Sequence, residues 1–251
     1  RNGARSLRSG TCQFSIAKMT LIQLGIENRV EGRTLAWALD FPGVFAYGAD
    51  SAEALLRVPR EMLRFESWLN LHTDEPWVHL DGLDLHIDET FEDHSEFGNP
   101  TAPVVRAFFR SDAAELSEEE ARRALLIYTW QREELLAGLE TLPADLLSRG
   151  MDGQPWAIEG ILDHLTRMEF WYFSRLGLQA EMPTTESGCL AKLDASEKMV
   201  RVLLPELAGM TGVFESEQEK WSARKVVRRL LWHQRDHIDQ IRALALGLEQ
   251  V

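Results

Sequence analysis

The chain has 251 residues, 45% of them hydrophobic, and a formal net charge of −13. That is enough for one large globular core or two modest ones, and the negative balance argues against a nucleic-acid partner, because phosphate is bound by Lys and Arg. No run of about 18 apolar residues suggests a membrane-spanning helix, and two cysteines, Cys12 and Cys189, supply neither a disulfide framework nor a thiolate zinc site.

Residues 1–18 carry four basic groups and no acidic one, unlike the rest of the chain, and they lack the apolar centre of a secretory signal. Met19 can serve as the first residue, so 1–18 is read as a tail without functional weight, and the protein is expected in the cytoplasm. From Met19 to about Asp88 the pattern is that of a small α/β unit. "LIQLGIE" and "TLAWALDF" run as strands joined by an "EGR" turn, and "FPGVFAYG" is punctuated by Pro42, Gly43 and Gly48. In "SAEALLRVPREMLRFESWLNL" the period changes: Ser51 can cap a helix, Leu55, Val58, Met62, Phe65 and Leu69 recur at three and four, and Pro59 can kink it. "WVHLDGLDLHI" returns to the strand beat, giving β-β-β-α-β. Residues 81–96, with seven acidic groups and no basic one, read as a solvated loop.

The stretch "LDFPGVFAYGADSAEALLRVPREML" resembles the HicB-like antitoxin family over about 70 residues. The resemblance implies a partial ribonuclease-H-like fold for residues 19–97 and a protein partner. The basic helix-turn-helix or ribbon that such antitoxins often add is not present in this sequence.

Residues 98–114 hold two prolines and a short strand-like core and are read as a linker. Residues 115–251 read as helical. "LSEEEARRALLIYTWQREELLAGLETL" opens with Ser117 and Glu120 in capping-box spacing; later helices are expected at about Ala157–Leu176, Leu190–Leu207 and Ser222–Leu246, the last ending at Gly247. Four long helices suggest an antiparallel bundle, in which facing helices converge on a central site. The fold class is therefore α+β.

In "LLWHQRDHIDQIRAL", His233 and His237 lie one helical turn apart and can point at a common atom. Val226, Leu230, Ile241 and Leu244 share their face, which aims both rings at the interior. His164 aligns with Ala157, Ile161, Met168 and Trp171 on the second helix. Buried neutral imidazoles need partners. A metal would supply one for each ring and leave a position open for water or substrate. The alternative for each is a core histidine bonded to a backbone carbonyl.

"DGQPWAIEGILDHLTRMEFWYFSRLG" together with "LLWHQRDHIDQIRAL" looks like the DinB-like superfamily, whose pattern is a Trp-containing turn, one histidine on the second helix and HxxxH on the last. The resemblance covers about residues 115–251 and implies a divalent ion, zinc or nickel, on His164, His233 and His237. It further implies a low-molecular-weight thiol cofactor, activated toward thiolate in a transferase. Three imidazoles also suit copper.

Further candidates are Arg229, one turn before His233, to hold a substrate carboxylate or phosphate, and Asp236, to accept an N–H from a ligand imidazole or act as a proton acceptor. Glu169 turns away from the His164 ring toward a helix surface. Cys189 is a weak nucleophile candidate. Lys225, Arg228, Arg229 and Arg235 are expected to pair with acidic segments. Trp130, Trp156, Trp171, Trp221 and Trp232 read as core or pocket walls, and His72, His79, His86 and His94 match no ligand spacing. The functions in view are a metal-dependent transferase or hydrolase of a small molecule and, alternatively, a non-catalytic antitoxin-like scaffold with a structural metal; a homodimer remains open, and neither nucleic acid nor membrane is an expected partner.

Overall fold

The computed structural model describes residues 19–92, 105–150, 156–184, 187–216 and 219–247. The tail 1–18, with Cys12, and also His94 and residues 98–104 of the expected linker lie outside that set. Strands β1 (Thr20–Val30), β2 (Arg33–Ala38), β3 (Phe45–Gly48) and β4 (Leu83–Glu92) form one sheet in the order β3-β2-β1-β4. The β1–β2 and β2–β3 pairs are antiparallel, and β4 lies parallel to β1. Helix α1 (Ser51–Asn70) makes the crossover between β3 and β4 that a parallel pair requires. Residues 83–92 are thus a strand and not the expected loop; their backbone groups pair with β1 while the acidic side chains Asp84 and Glu92 stay in water. Asp50, not Ser51, caps α1, accepting the Glu53 N–H at 2.9 Å.

The alternation in β1 and β2 sorts side chains to two faces. Ile22, Leu24, Ile26, Ala36 and Ala38 meet Ala54, Val58 and Met62 of α1. Leu35 and Trp37 meet Val105, Ala107, Phe109 and Trp232 on the other side.

The helical part comprises α2 (Glu118–Glu140), the short α3 (Ala144–Ser148), α4 (Ile158–Ser174), α5 (Cys189–Leu203) and α6 (Ala223–Leu246), with a small hairpin of β5 (Phe214–Ser216) and β6 (Glu219–Trp221) before α6. α2 begins with the expected capping box, in which the Ser117 and Glu120 side chains each bond the other's backbone N–H. α6 is capped by Ser222 and ends at Gly247, whose φ of 63° is the left-handed conformation that glycine adopts without a Cβ clash. The four long helices pack on one another, α6 against both α2 and α4, and α5 against α4.

Residues 105–112 are more than a spacer. The buried carboxylate of Glu27 on β1 accepts the N–H groups of Arg106 and Ala107, at 2.5 and 2.8 Å, and Trp37 Nε1–H at 3.2 Å. From the other side, cationic side chains of α6 hold the carbonyls of Val105, Arg106 and Ala107. The Phe109 ring lies on β1 at Gly25, where an added Cβ would come within 2.6 Å of it. Phe109 is 1% exposed, so Phe109→Ala is expected to lower unfolding free energy by about 3–5 kcal/mol, read from urea denaturation. A loss below about 1 kcal/mol would show that the segment does not join the two parts.

Candidate metal centre

α6 is enclosed along its first half: every residue from Lys225 to Gln234 is buried. Its cations are therefore paired inside the protein. Lys225 Nζ donates to Glu219 at 2.7 Å and to the Arg106 and Lys220 carbonyls at 2.9 Å; burial brings its pKa down to about 8, with Glu219 opposing the shift. Arg228 grips Asp112 through Nη2 at 2.6 Å and Nε at 3.2 Å. Arg229, expected at a substrate rim, is instead 2% exposed, donating to the Val105 carbonyl and lying 3.4 Å from Glu219. Buried among these groups, the Arg229 guanidinium does not stand at a substrate rim. Arg235 pairs with Asp239 and Glu134 at 3.2 and 3.9 Å. The pairing expected of the four cations holds, and it is intramolecular throughout.

His233 and His237 continue this enclosed helix and meet His164 of α4. One ligating atom from each lies within 4.8 Å of the others. His233 Nε2 is 3.1 Å from His164 Nε2 and 3.0 Å from His237 Nε2. Around a tetrahedral zinc with Zn–N of about 2.0–2.1 Å, neighbouring nitrogens stand about 3.3 Å apart, so the two distances from His233 are a few tenths of an ångström shorter than coordinated nitrogens would show. Among three neutral rings this tight, a shared proton can join one pair but leaves a third lone pair facing nitrogen, whereas a cation accepts all three.

Electrostatics favour the neutral, ligating form. Burial pushes all three pKa values down: His164 to about 4, with the charges of His237 and Arg167 adding to it, His233 well below the usual imidazole value, and His237 in the same direction. His237 Nδ1 lies 2.8 Å from Gln240 Oε1; donation there assigns its proton to Nδ1 and frees Nε2 for a metal. Gln240 is the orienting partner that the sequence reading missed, and its spacing of three from His237 was the available signal. His233 Nδ1 is buried with no partner among the described residues.

Asp236 does not reach a ligand imidazole. It faces Tyr47 and Arg33 of the sheet, and burial raises its pKa to about 6. The Tyr47 hydroxyl accepts Trp232 Nε1–H at 3.1 Å, with Arg33 4.1 Å over its ring. Glu169 does turn away from His164, yet it is fully buried: it takes a short ion pair from Arg132 and the Tyr128 hydroxyl at 3.0 Å. Its expected helix surface is covered by α2. Cys189 is half-buried, and burial raises its pKa, so thiolate is disfavoured. Trp221 and Trp232 are buried, Trp130 and Trp171 partly so, and Trp156 is 42% exposed. His72 sits beside Trp68 and Trp130, with ring centroids at 4.7 and 4.9 Å, while His79 and His86 face solvent; none of the three approaches the imidazole cluster.

Two outcomes follow. Glu169→Gln strands the Arg132 charge in the core and is expected to lower stability by about 3–5 kcal/mol, with Glu169→Leu/Arg132→Met recovering most of it; denaturant unfolding of the two variants beside the parent protein checks this. For chelated protein, the depressed imidazole pKa values mean that the unfolded chain binds more protons below about pH 6.5, so stability falls as pH drops from there. Asp236, with its raised pKa, opposes this below about pH 6. His233→Gln removes up to one proton from the balance and should flatten the slope between pH 6.5 and 5 by about 0.7 kcal/mol per pH unit at pH 6.5, rising toward about 1.4 at pH 5; an unchanged slope would mean that His233 is not neutral in the folded protein. Comparison of the chain with protein-family models, curated proteins and solved structures finds no match.

Proposed function

We propose that His164, His233 and His237 hold a divalent metal ion, zinc or nickel, and that the protein is a metal-dependent enzyme acting on a small molecule, with a thiol-dependent transfer or a hydrolysis as its reaction. The convergence of three neutral imidazole nitrogens within 4.8 Å carries this reading. When bound, such an ion supplies Lewis acidity, drawing protons from a coordinated thiol or water near neutral pH. The chain's own part is to keep the imidazoles deprotonated by burial, to orient His237 through Gln240 and to leave His164 partly open. The likeness of the helical half to the DinB-like superfamily supports the metal and the thiol alike, and that of the sheet half to HicB-like antitoxins supports a protein partner. The described residues include no helix long and apolar enough to cross a membrane.

Protein purified without an affinity tag should carry about one metal ion per chain by elemental analysis. Chelation should lower its melting temperature, as expected when a ligand that binds the folded state is removed, and His233→Ala should lose the metal. Metal-free protein that neither binds added zinc nor nickel nor changes its melting temperature with them would end this reading. With metal bound, turnover of electrophiles with low-molecular-weight thiols tests the transferase form.

A further inference from the structure

The centre is not enclosed on every side. His233 and His237 are buried, whereas His164 is half-buried, so the cluster's solvent-facing side is at His164. Trp156 lies against the His164 ring with centroids 4.9 Å apart and planes at 35°, yet keeps 42% of its surface in solvent. It packs this closely over α4 because residue 160 is glycine; a Cβ there would stand 3.2 Å from the Trp156 Cβ. The half-buried Met168, four residues after His164, extends the apolar strip on the same side.

Beside that strip stands an exposed cation. Arg167, three residues after His164 on α4, has 56% of its side chain accessible. It lies 3.0 Å from Asp163, and Lys192 bonds to the same Asp163 carboxylate. Among the described residues Arg167 bonds Asp163 through Nε alone, so its two Nη groups are available at the rim. Arg229 is locked in the interior, so Arg167 is the guanidinium placed to meet a ligand.

We propose that this rim receives a small anionic molecule with a flat apolar body, its charge taken by Arg167 and its body laid on Trp156 beside His164. The inference rests on the metal-centre reading. An exposed indole favours a planar or apolar partner because stacking removes apolar surface from water from both sides. A guanidinium with available Nη groups beside a divalent centre takes a carboxylate or phosphate in preference to a neutral group.

The test uses the full chain loaded with cobalt, whose thiolate absorption band reports binding of an aromatic thiol. Cobalt content is measured first; protein that retains no cobalt contradicts the metal-centre reading itself, and the rim proposal falls with it. With cobalt bound, thiophenol is compared with the three ring isomers of mercaptobenzoate. At least one isomer should bind about tenfold more tightly than thiophenol, an advantage that shrinks with added salt. Arg167→Met should abolish the advantage while leaving cobalt content and melting temperature unchanged, and Trp156→Ala should weaken every aromatic thiol about equally. Thiophenol binding as tightly as every isomer, a carboxylate preference that survives Arg167→Met, or Trp156→Ala leaving thiol affinity unchanged would each overturn the proposal.

Discussion

The first half of helix α6 is enclosed by the sheet, α2, α4 and the segment 105–112, and polar side chains there cannot stay in water. The cost of burying an unpaired charge is several kcal/mol even after relaxation, so each ionic group on α6 dictates where an opposite charge or a carbonyl must stand. Lys225 selects Glu219 on β6, Arg228 selects Asp112, and the carbonyls of residues 105–107 take further donors of Lys225, Arg228 and Arg229. These bonds reach from the helical part to the segment that Glu27 holds on the sheet. Sheet and helices are therefore joined through one set of buried ionic contacts, reinforced by the Trp37–Trp232 edge contact at 5.6 Å.

The same constraint acts on the histidines with a different outcome. An imidazole can escape the cost of burial by losing its proton, an option that Arg lacks and Lys takes only in part. Burial accordingly holds the pKa values of His233 and His237 down on α6, and the His233 Nε2 stands between those of His237 and His164. A hydrophobic helix face that carries imidazole nitrogens close to a third imidazole is a group that could hold a metal ion, with His164 its least buried member.

How much of this could be read from residue order depends on whether a side chain's role is set by its own helix or by what covers it. The periodicity of α6, its Ser222 and Gly247 ends and the alignment of His164 with Ile161 are properties of single helices, and each was legible. So was β-β-β-α-β, because period two and period three-to-four differ plainly. Arg229 and Glu169 were misplaced for a common reason. A helical projection gives the angle between two residues but does not say that α2 closes over the far side of α4, or that residues 105–112 close over α6. The acidic run near 81–96 misled in another way: its charge describes the side chains, while strand formation by Leu83–Glu92 depends on backbone pairing with β1.

The distance between α4 and α6 decides whether three imidazoles make a site or only a polar patch, since His164 stands on one helix and the other two on its neighbour. Two buried bonds from α2 fix that distance without touching the centre. Arg132 ties α2 to Glu169 on α4, and Gln234 Nε2 on α6 donates to the Tyr128 carbonyl of α2 at 2.9 Å. Tyr128 also gives its hydroxyl to Glu169, so α2 clamps both ligand-bearing helices within one turn of its length. Ligand positions for a metal must hold within a few tenths of an ångström, and charge-assisted bonds in a dry core are stiff enough to do this. The buried polar network of α2 is thus the part of the fold that holds histidine nitrogens from two helices within 4.8 Å of one another.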